Sequence, residues 1–320
     1  MLANEYKPSK TIMLEPLTMP QMLENTANPA EAQTEKSSSR RSRAAGSEDT
    51  EQDIAMTDWD GTEYRRVSDL QQSLAQRALD GLELDGVESL LDVGCGDGRI
   101  TAEIASRIPD ADIVGLDPSP RMISIAPARG RLSFQLGDVC TMAYDGRFDA
   151  VVSFNALHWV MDQRLALSRI AAALRPSGFA LLVFVCAGER PGLEDVAMQI
   201  VRRPSWQEYF HGFEAPFVHP EVGAWTQIAE SCGLNEVDTT VDDLEWDFGS
   251  RERFQRWVSV GFGAWTDHLP VGVGEAFVSE VVDGYEKVTG SAGVFRFLQL
   301  RAQLSREGAT PKHAGLTTDS

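Results

Sequence analysis

A glycine-rich turn between an apolar strand and a helix is the feature that most constrains how this sequence folds. The apolar run Ser89–Val93 predicts a short buried strand, residues 94–98 (GCGDG) form the turn, and a helix is expected to begin at Arg99. Glycines at alternate positions let the backbone turn sharply and bring main-chain N–H groups against a ligand, which side chains would prevent. The pattern therefore predicts a site for a nucleotide-like ligand.

An acidic residue at the expected distance makes this prediction more specific. A second apolar strand, Asp112–Leu116, ends in Asp117, nineteen residues after Gly98. In nucleotide-binding α/β sheets, an acid about 20 residues beyond the glycine turn accepts hydrogen bonds from ribose hydroxyls. A dinucleotide fingerprint would place a small residue at position 99, where this chain has Arg99, so the pattern argues against a nicotinamide dinucleotide.

The run Asp92–Gly98 resembles the first motif of class I S-adenosylmethionine-dependent methyltransferases. In that family the glycine turn approaches the amino-acid part of the cofactor, and the acid after the second strand, here Asp117, holds the ribose. An acid after the third strand receives the adenine amino group, which indicates Asp138. The resemblance implies that the following residues bind S-adenosylmethionine: Asp92, Gly94, Gly96, Gly98, Asp117, Met122, Asp138, Val139 and Asn155.

Two of these residues have structural alternatives. Met122 lies in the helix after Asp117, where the family places a residue on the adenine, but a core methionine has the same sequence signature. Asp138 follows the predicted third strand, Leu132–Leu136, and has the same signature as the aspartate of an ordinary turn.

A further resemblance lies beyond the predicted strand Phe148–Phe154, at the strand end where parallel sheets bind ligands. The run Phe154–Val160 is similar to the corresponding run of trans-aconitate and juvenile hormone acid methyltransferases, in which the tryptophan, here Trp159, lines the pocket for the substrate carboxylate. The stretch Trp59–Gln71 is similar to the entry helix of small-acid methyltransferases. This makes Gln71 a candidate substrate contact, although an exposed glutamine on an ordinary helix has the same signature.

Whether His158 has a catalytic role depends on which kind of acceptor is methylated. Its ordinary pKa near 6.5 suits a general base, but a histidine packed at a helix start fits the sequence equally. A carboxylate acceptor is already ionised near neutral pH and needs no base, whereas a phenol, amine or carbon acceptor must lose a proton. The candidate catalytic residues are therefore Trp159, Gln71 and His158, and the chemistry requires no metal.

The predicted function is methyl transfer to a small or medium-sized organic acid, giving a methyl ester. The alternatives are a C-, N- or phenolic O-methyltransferase of secondary metabolism and a non-catalytic cofactor-binding assembly factor.

The alternation of strands and helices from Ser89 to Val185 predicts a parallel sheet with right-handed crossovers and helices on both faces. The predicted fold is α/β: a doubly wound, Rossmann-like sheet of seven strands, mostly parallel, with an antiparallel last strand, Val294–Leu304. Helical cap insertions are expected at about 187–220 and 250–290, whose aromatic residues form either a lid or small separate cores.

Composition separates the ends of the chain from this domain. Residues 1–57 are polar and lack periodicity, so we predict a disordered N-terminal tail, followed by the methyltransferase domain at 58–306 and a disordered C-terminal tail at 307–320. The net charge of −19 argues against a nucleic-acid partner, and no apolar run approaches the length of a membrane span. Four widely spaced cysteines favour free thiols in a reducing compartment, the cytoplasm, over disulfides or a zinc site.

Overall fold

The computed structural model describes residues 11–15 and 69–306 of the chain. In this part of the chain, helices pack on both faces of one eight-stranded sheet. The strands are β1 (Thr11–Met13), β2 (Ser89–Val93), β3 (Asp112–Asp117), β4 (Leu132–Leu136), β5 (Phe148–Phe154), β6 (Leu174–Val185), β7 (Leu234–Asp247) and β8 (Val294–Arg306). The helices are α1 (Asp69–Asp80), α2 (Arg99–Arg107), α3 (Pro120–Ile125), α4 (Gln163–Ala173), α5 (Leu193–Val201), α6 (Val222–Ser231), α7 (Arg251–Gly261), α8 (Gly263–Thr266) and α9 (Gly274–Thr289).

The strand order across the sheet is β1-β7-β8-β6-β5-β2-β3-β4. Strand β8 runs antiparallel to both of its neighbours, β6 and β7, and the other described pairs are parallel. The predicted fold class, a mostly parallel doubly wound sheet with an antiparallel last strand, is confirmed. The number of strands differs, because the sheet has eight strands where the sequence predicts seven.

The eighth strand comes from the segment predicted to be a disordered tail. Strand β1 pairs in parallel with β7, and Thr11 Oγ1 donates a hydrogen bond to Asp243 Oδ2 at 2.9 Å. Ser73 Oγ donates to the backbone oxygen of Glu15 at 2.9 Å. The disorder prediction is therefore wrong for residues 11–15. A three-residue strand is too short to show a periodic pattern, and its partners exist only at the open edge of β7. The remainder of the predicted 1–57 tail, and the whole of 307–320, lie outside the described residues.

Removing residues 1–15 is expected to lower the free energy of unfolding by about 1–3 kcal/mol, because the hydrogen bonds of β1 and the packing of Ile12 and Leu14 on the cap are lost. Thermal unfolding of the truncated and full-length chains measures this, with an expected loss of several degrees in Tm. The matched control is Thr11→Val, which keeps a strand-forming side chain and should lose less. An unchanged Tm after truncation would contradict a stabilising role for β1.

The aromatic residues of the two predicted insertions form one shared core. Helix α5 belongs to the first insertion and α7–α9 to the second, and buried aromatic side chains from both pack together. Leu70 and Leu74 of α1 are buried in the same cluster, so the helix that carries Gln71 is held against the cap. We call this cluster the cap core; its buried aromatic members are Trp206, Phe210, Phe217, Trp246, Phe254, Phe262, Trp265, Phe277, Tyr285, Phe295 and Phe297.

Candidate functional site

The glycine turn lies at the carboxyl end of β2 and is bonded to the end of β3. The backbone N–H groups of Gly94 and Cys95 both donate to the carbonyl oxygen of Leu116, at 2.8 and 3.1 Å. Gly94, Gly96 and Gly98 have φ values of 74°, 55° and 76°, in the left-handed region that side chains disfavour. The three glycines therefore allow the sharp backbone turn that the sequence predicts.

Neighbouring side chains fill the space beside Gly94 and Gly98, whereas the space beside Gly96 is open. A Cβ at Gly94 would lie 2.2 Å from the Cβ of Ala156, and one at Gly98 would lie 2.5 Å from the ring of Phe134. At Gly96 no atom lies within 4 Å of the Cβ position. The turn is therefore packed on both sides, with free space above its centre where a ligand can approach the backbone.

Asp117, at the end of β3, holds the centre of this turn. Its Oδ2 accepts the Gly96 N–H at 2.8 Å and its Oδ1 accepts the Ser119 N–H at 2.9 Å. Burial raises the pKa of this carboxyl, and the two N–H bonds oppose that rise. Because a carboxylate offers about four lone-pair sites, Asp117 has acceptor capacity left for hydroxyl groups of a ligand.

Asp92 lies beneath the turn with an unused acceptor atom. Its side chain is 1% exposed, and Thr101 Oγ1 donates to Oδ2 at 2.7 Å, while Oδ1 has no hydrogen-bond partner in the described part of the chain. Burial raises the pKa of Asp92 to about 7. A buried acceptor without a donor costs free energy, so the site fits a ligand that brings an ammonium or N–H group.

The residues predicted for the adenine side lie after β3 and β4. Met122 is buried in α3, where Ser119 Oγ accepts its N–H at 3.3 Å and caps the helix. Asp138 Oδ1 accepts the Cys140 N–H at 2.6 Å, and Val139 is buried. These positions agree with the structural alternatives, a core methionine and a turn aspartate, so the cofactor roles of these residues stay predictions.

Asn155, directly after β5, has an unusual backbone. Its φ of 53° is the only positive value of a non-glycine residue in the described part of the chain. Gln299 Nε2, from the distant strand β8, donates to Asn155 Oδ1 at 2.9 Å, and Gln299 is 4% exposed. Such backbone conformations cost free energy and cluster at functional sites. Sequence reasoning missed Gln299, because nothing near it in the chain marks a contact across the sheet.

His158 belongs to the short 3₁₀ turn Leu157–Trp159 beyond β5 and is 5% exposed. Burial, together with the nearby His219, lowers the pKa of His158 to about 3. Its Nδ1 has no hydrogen-bond partner in the described part of the chain. The imidazole is therefore neutral near pH 7 and is a weak base.

Trp159 and Gln71, the predicted substrate contacts, both sit on elements that pack against the cap core. The Trp159 ring lies 6.3 Å from the ring of Trp265 and 5.2 Å from that of His158, measured between centroids. Gln71 is half-buried, and its Oε1 is buried without a hydrogen-bond partner among the described residues. Both residues therefore belong to elements that meet the cap core, Trp159 to the turn after β5 and Gln71 to α1.

An open groove of about 1020 Å³ lies in the first insertion, between α5 and residues 207–219. Val218, in its wall, donates its N–H to the carbonyl oxygen of His158 at 2.8 Å, which joins the groove to the turn after β5. Sequence reasoning missed this groove and its histidine, His219. Its lining includes Met198, Val201, Phe210, Phe213, Phe217 and His219.

The described residues hold no cluster of His, Cys, Asp and Glu that is able to bind a metal ion, and the four cysteines are free thiols. In the same part of the chain, every helix is too short or too polar to cross a membrane.

Comparisons with known proteins agree with this geometry. Residues 90–178, from within β2 to within β6, match the family described as a methyltransferase domain. The chain is 37% identical over 124 residues to trans-aconitate 2-methyltransferase of Methylobacterium radiotolerans, covering 38% of this chain and 48% of the relative. It is 28% identical over 232 residues to the enzyme of the same name from Variovorax paradoxus, covering 70% and 88%. Phosphoethanolamine N-methyltransferase 2 of Haemonchus contortus, solved with S-adenosylhomocysteine, shares the fold at 17% identity with a TM-score of 0.51, covering 77% of this chain and 57% of that chain.

Proposed function

Because this chain is a class I S-adenosylmethionine-dependent methyltransferase, we propose that it methylates the carboxylate of a small or medium-sized organic acid. When bound, S-adenosylmethionine supplies an electrophilic methyl group on a sulfonium sulfur. The relatives named trans-aconitate 2-methyltransferase support an acid as acceptor, and so does the run Phe154–Val160. The four free thiols support a reducing compartment, and we propose the cytoplasm.

We assign the cofactor site to the glycine turn and the strand ends beside it. The backbone at Gly96 and the free Oδ1 of Asp92 would receive the amino-acid part, and Asp117 would accept the ribose hydroxyls. The remaining members of the proposed site are Gly94, Gly98, Met122, Asp138, Val139 and Asn155.

The single observation that carries the carboxylate proposal is the burial of His158. With a pKa of about 3, this residue is a poor proton acceptor at neutral pH. An ionised carboxylate is already a nucleophile and needs no base, so it suits a site in which the imidazole beside Trp159 is a weak base. The chemistry then depends on alignment of the acceptor with the methyl group.

Residues at the boundary between the sheet and the cap core would align the acceptor with the methyl group and exclude water. Trp159 would contact the acceptor from the turn after β5, and Gln71 would donate its side-chain amide to the carboxylate from α1. Trp159 packs on the cap core, and so does the helix that carries Gln71, through Leu70 and Leu74, which limits the freedom that must be lost on binding. The apolar cap also excludes water from the reacting atoms.

Replacing His158 with Ala tests whether a base is needed. If the acceptor is a carboxylate, we expect kcat to change by less than about threefold, whereas loss of a general base lowers the rate about 10²–10⁴-fold. The assay uses methyl-labelled S-adenosylmethionine with a panel of organic acids that includes trans-aconitate, and mass spectrometry locates the new methyl group.

Because His158 is buried, His158→Gln serves as a second variant, and thermal unfolding of both variants separates a loss of fold from a loss of chemistry. The proposal is wrong if no acid in the panel is methylated by an active preparation, or if the new methyl group is found on carbon or nitrogen.

A further inference from the structure

His219 occupies an acidic, mostly buried position that the proposed chemistry does not use. Its side chain is 6% exposed; Nδ1 lies 3.5 Å from Asp195 Oδ2 and Nε2 lies 3.7 Å from Glu194 Oε2. Both carboxylates stand in the first turn of α5, whose N-terminus is capped by the bond from the Gly192 N–H to Asp195 Oδ2 at 2.8 Å. An imidazole placed between two carboxylates is stabilised in its charged form.

His219 belongs to a short segment, Phe217–Pro220, which we call the strap. The Val218 N–H donates to the carbonyl oxygen of His158 at 2.8 Å, so the strap is bonded to the turn that carries Trp159. The ring of Phe217 lies 4.6 Å from that of His219 and 6.1 Å from that of Trp265. Trp265 is the ring against which Trp159 packs. The strap therefore contacts the Trp159 turn directly through its backbone and indirectly through the ring of Trp265.

We propose that His219 is a positioning residue, whose imidazolium joins the strap to Glu194 and Asp195 and so holds Trp159 in place for the acceptor. This inference rests on the proposed role of Trp159 in binding the acceptor. His219 is unsuited to be the base of the reaction, because both of its ring nitrogens face carboxylates.

The charges around His219 determine how this contact responds to pH. Hydrogen bonding to Asp195 and attraction to both carboxylates outweigh burial and raise the pKa of His219 above its ordinary value. Burial raises the pKa of Glu194, whereas the pKa of Asp195 is lowered by His219 and the Gly192 N–H. The ring of His158, 6.2 Å from that of His219, is neutral. Tyr285, whose pKa is raised by burial, and Arg190 also interact electrostatically with this part of the fold, Tyr285 with the charge of Glu194.

The direction of the pH effect follows from the raised pKa of His219. A group with a raised pKa contributes its full stabilisation below its ordinary pKa and loses it as the pH rises through the raised value. The strap should therefore be held most firmly below about pH 6.5, the ordinary pKa of histidine, and released as the pH rises through the raised pKa of His219.

Hydrogen exchange with mass spectrometry tests this on the full-length protein saturated with S-adenosylhomocysteine. Protection factors are measured for residues 214–220 and 157–160 from about pH 6 to about pH 9.5, corrected for the intrinsic pH dependence of exchange. In the wild-type protein we expect protection of both segments to fall about 10-fold across this range.

Three variants separate charge from packing. His219→Gln removes the charge and should give low protection at every pH, whereas His219→Lys keeps a positive charge and should restore protection without the alkaline loss below about pH 9. His211→Gln changes an exposed histidine of the same insertion and should keep the wild-type profile.

A flat wild-type profile, or a wild-type profile in His219→Gln, would overturn the inference. If His219→Gln does not fold, the pH profiles of the wild-type protein and of His219→Lys still test the inference. Since no acceptor is present, the result is independent of which molecule is methylated, and a failed acid panel leaves it unaffected.

Discussion

Replacing Asp117 with Ala should raise the Kd for S-adenosylmethionine about 10- to 100-fold, the effect of losing a charged acceptor worth about 1.5–3 kcal/mol. The reason is that Asp117 acts on the site twice. Its Oδ2 accepts the N–H of Gly96 at the centre of the glycine turn, and in the proposed site its remaining acceptor capacity would bind the ribose hydroxyls. Isothermal titration calorimetry with S-adenosylmethionine and with S-adenosylhomocysteine measures both affinities.

The same strand provides a matched control. Asp112, at the other end of β3, is exposed and pairs with Arg131 at 2.9 Å, far along the strand from the glycine turn. Asp112→Ala removes an identical side chain from an ion pair that contributes little, so the Kd should not change. An unchanged Kd in Asp117→Ala would remove this carboxylate from the proposed cofactor site.

Replacing Gly94 with Ala should destabilise the protein by about 2–5 kcal/mol and abolish measurable cofactor binding. A left-handed φ costs an L-residue about 1–2 kcal/mol, and overpacking adds about 1–3 kcal/mol. Both apply here, because Gly94 has a φ of 74° and its new Cβ would lie 2.2 Å from the Cβ of Ala156. Relief of that contact must move the backbone of the turn, where the ligand is expected.

The variant Gly86→Ala separates the cost of the left-handed backbone from the cost of overpacking. Its φ of 76° nearly equals that of Gly94, but no atom lies within 4 Å of its Cβ position. Gly86→Ala should therefore cost only the conformational part, about 1–2 kcal/mol, and leave cofactor affinity unchanged. Urea unfolding gives both free energies. Equal losses in the two variants would show that the contact with Ala156 does not constrain the turn.

Much of the fold was predictable because its signals are local in the chain. The strand Ser89–Val93, the strand Leu132–Leu136 and the helix beginning at Arg99 have the predicted positions, since apolar runs and glycines mark strands and turns over a few residues. The antiparallel last strand was likewise predicted. The prediction failed at β1, where three residues gain strand structure only from pairing with β7.

The sequence by itself determined the glycine turn, its acid Asp117 and hence the cofactor class, because those requirements lie within one strand–turn–helix unit and the strand after it. Only the tertiary structure decided the protonation of His158, which burial and His219 control, the support of Asn155 by Gln299, and the placement of His219 between Glu194 and Asp195. Each of these depends on contacts between segments far apart in the chain. Burial and electrostatic environment arise only when such segments pack together, so no local pattern encodes them.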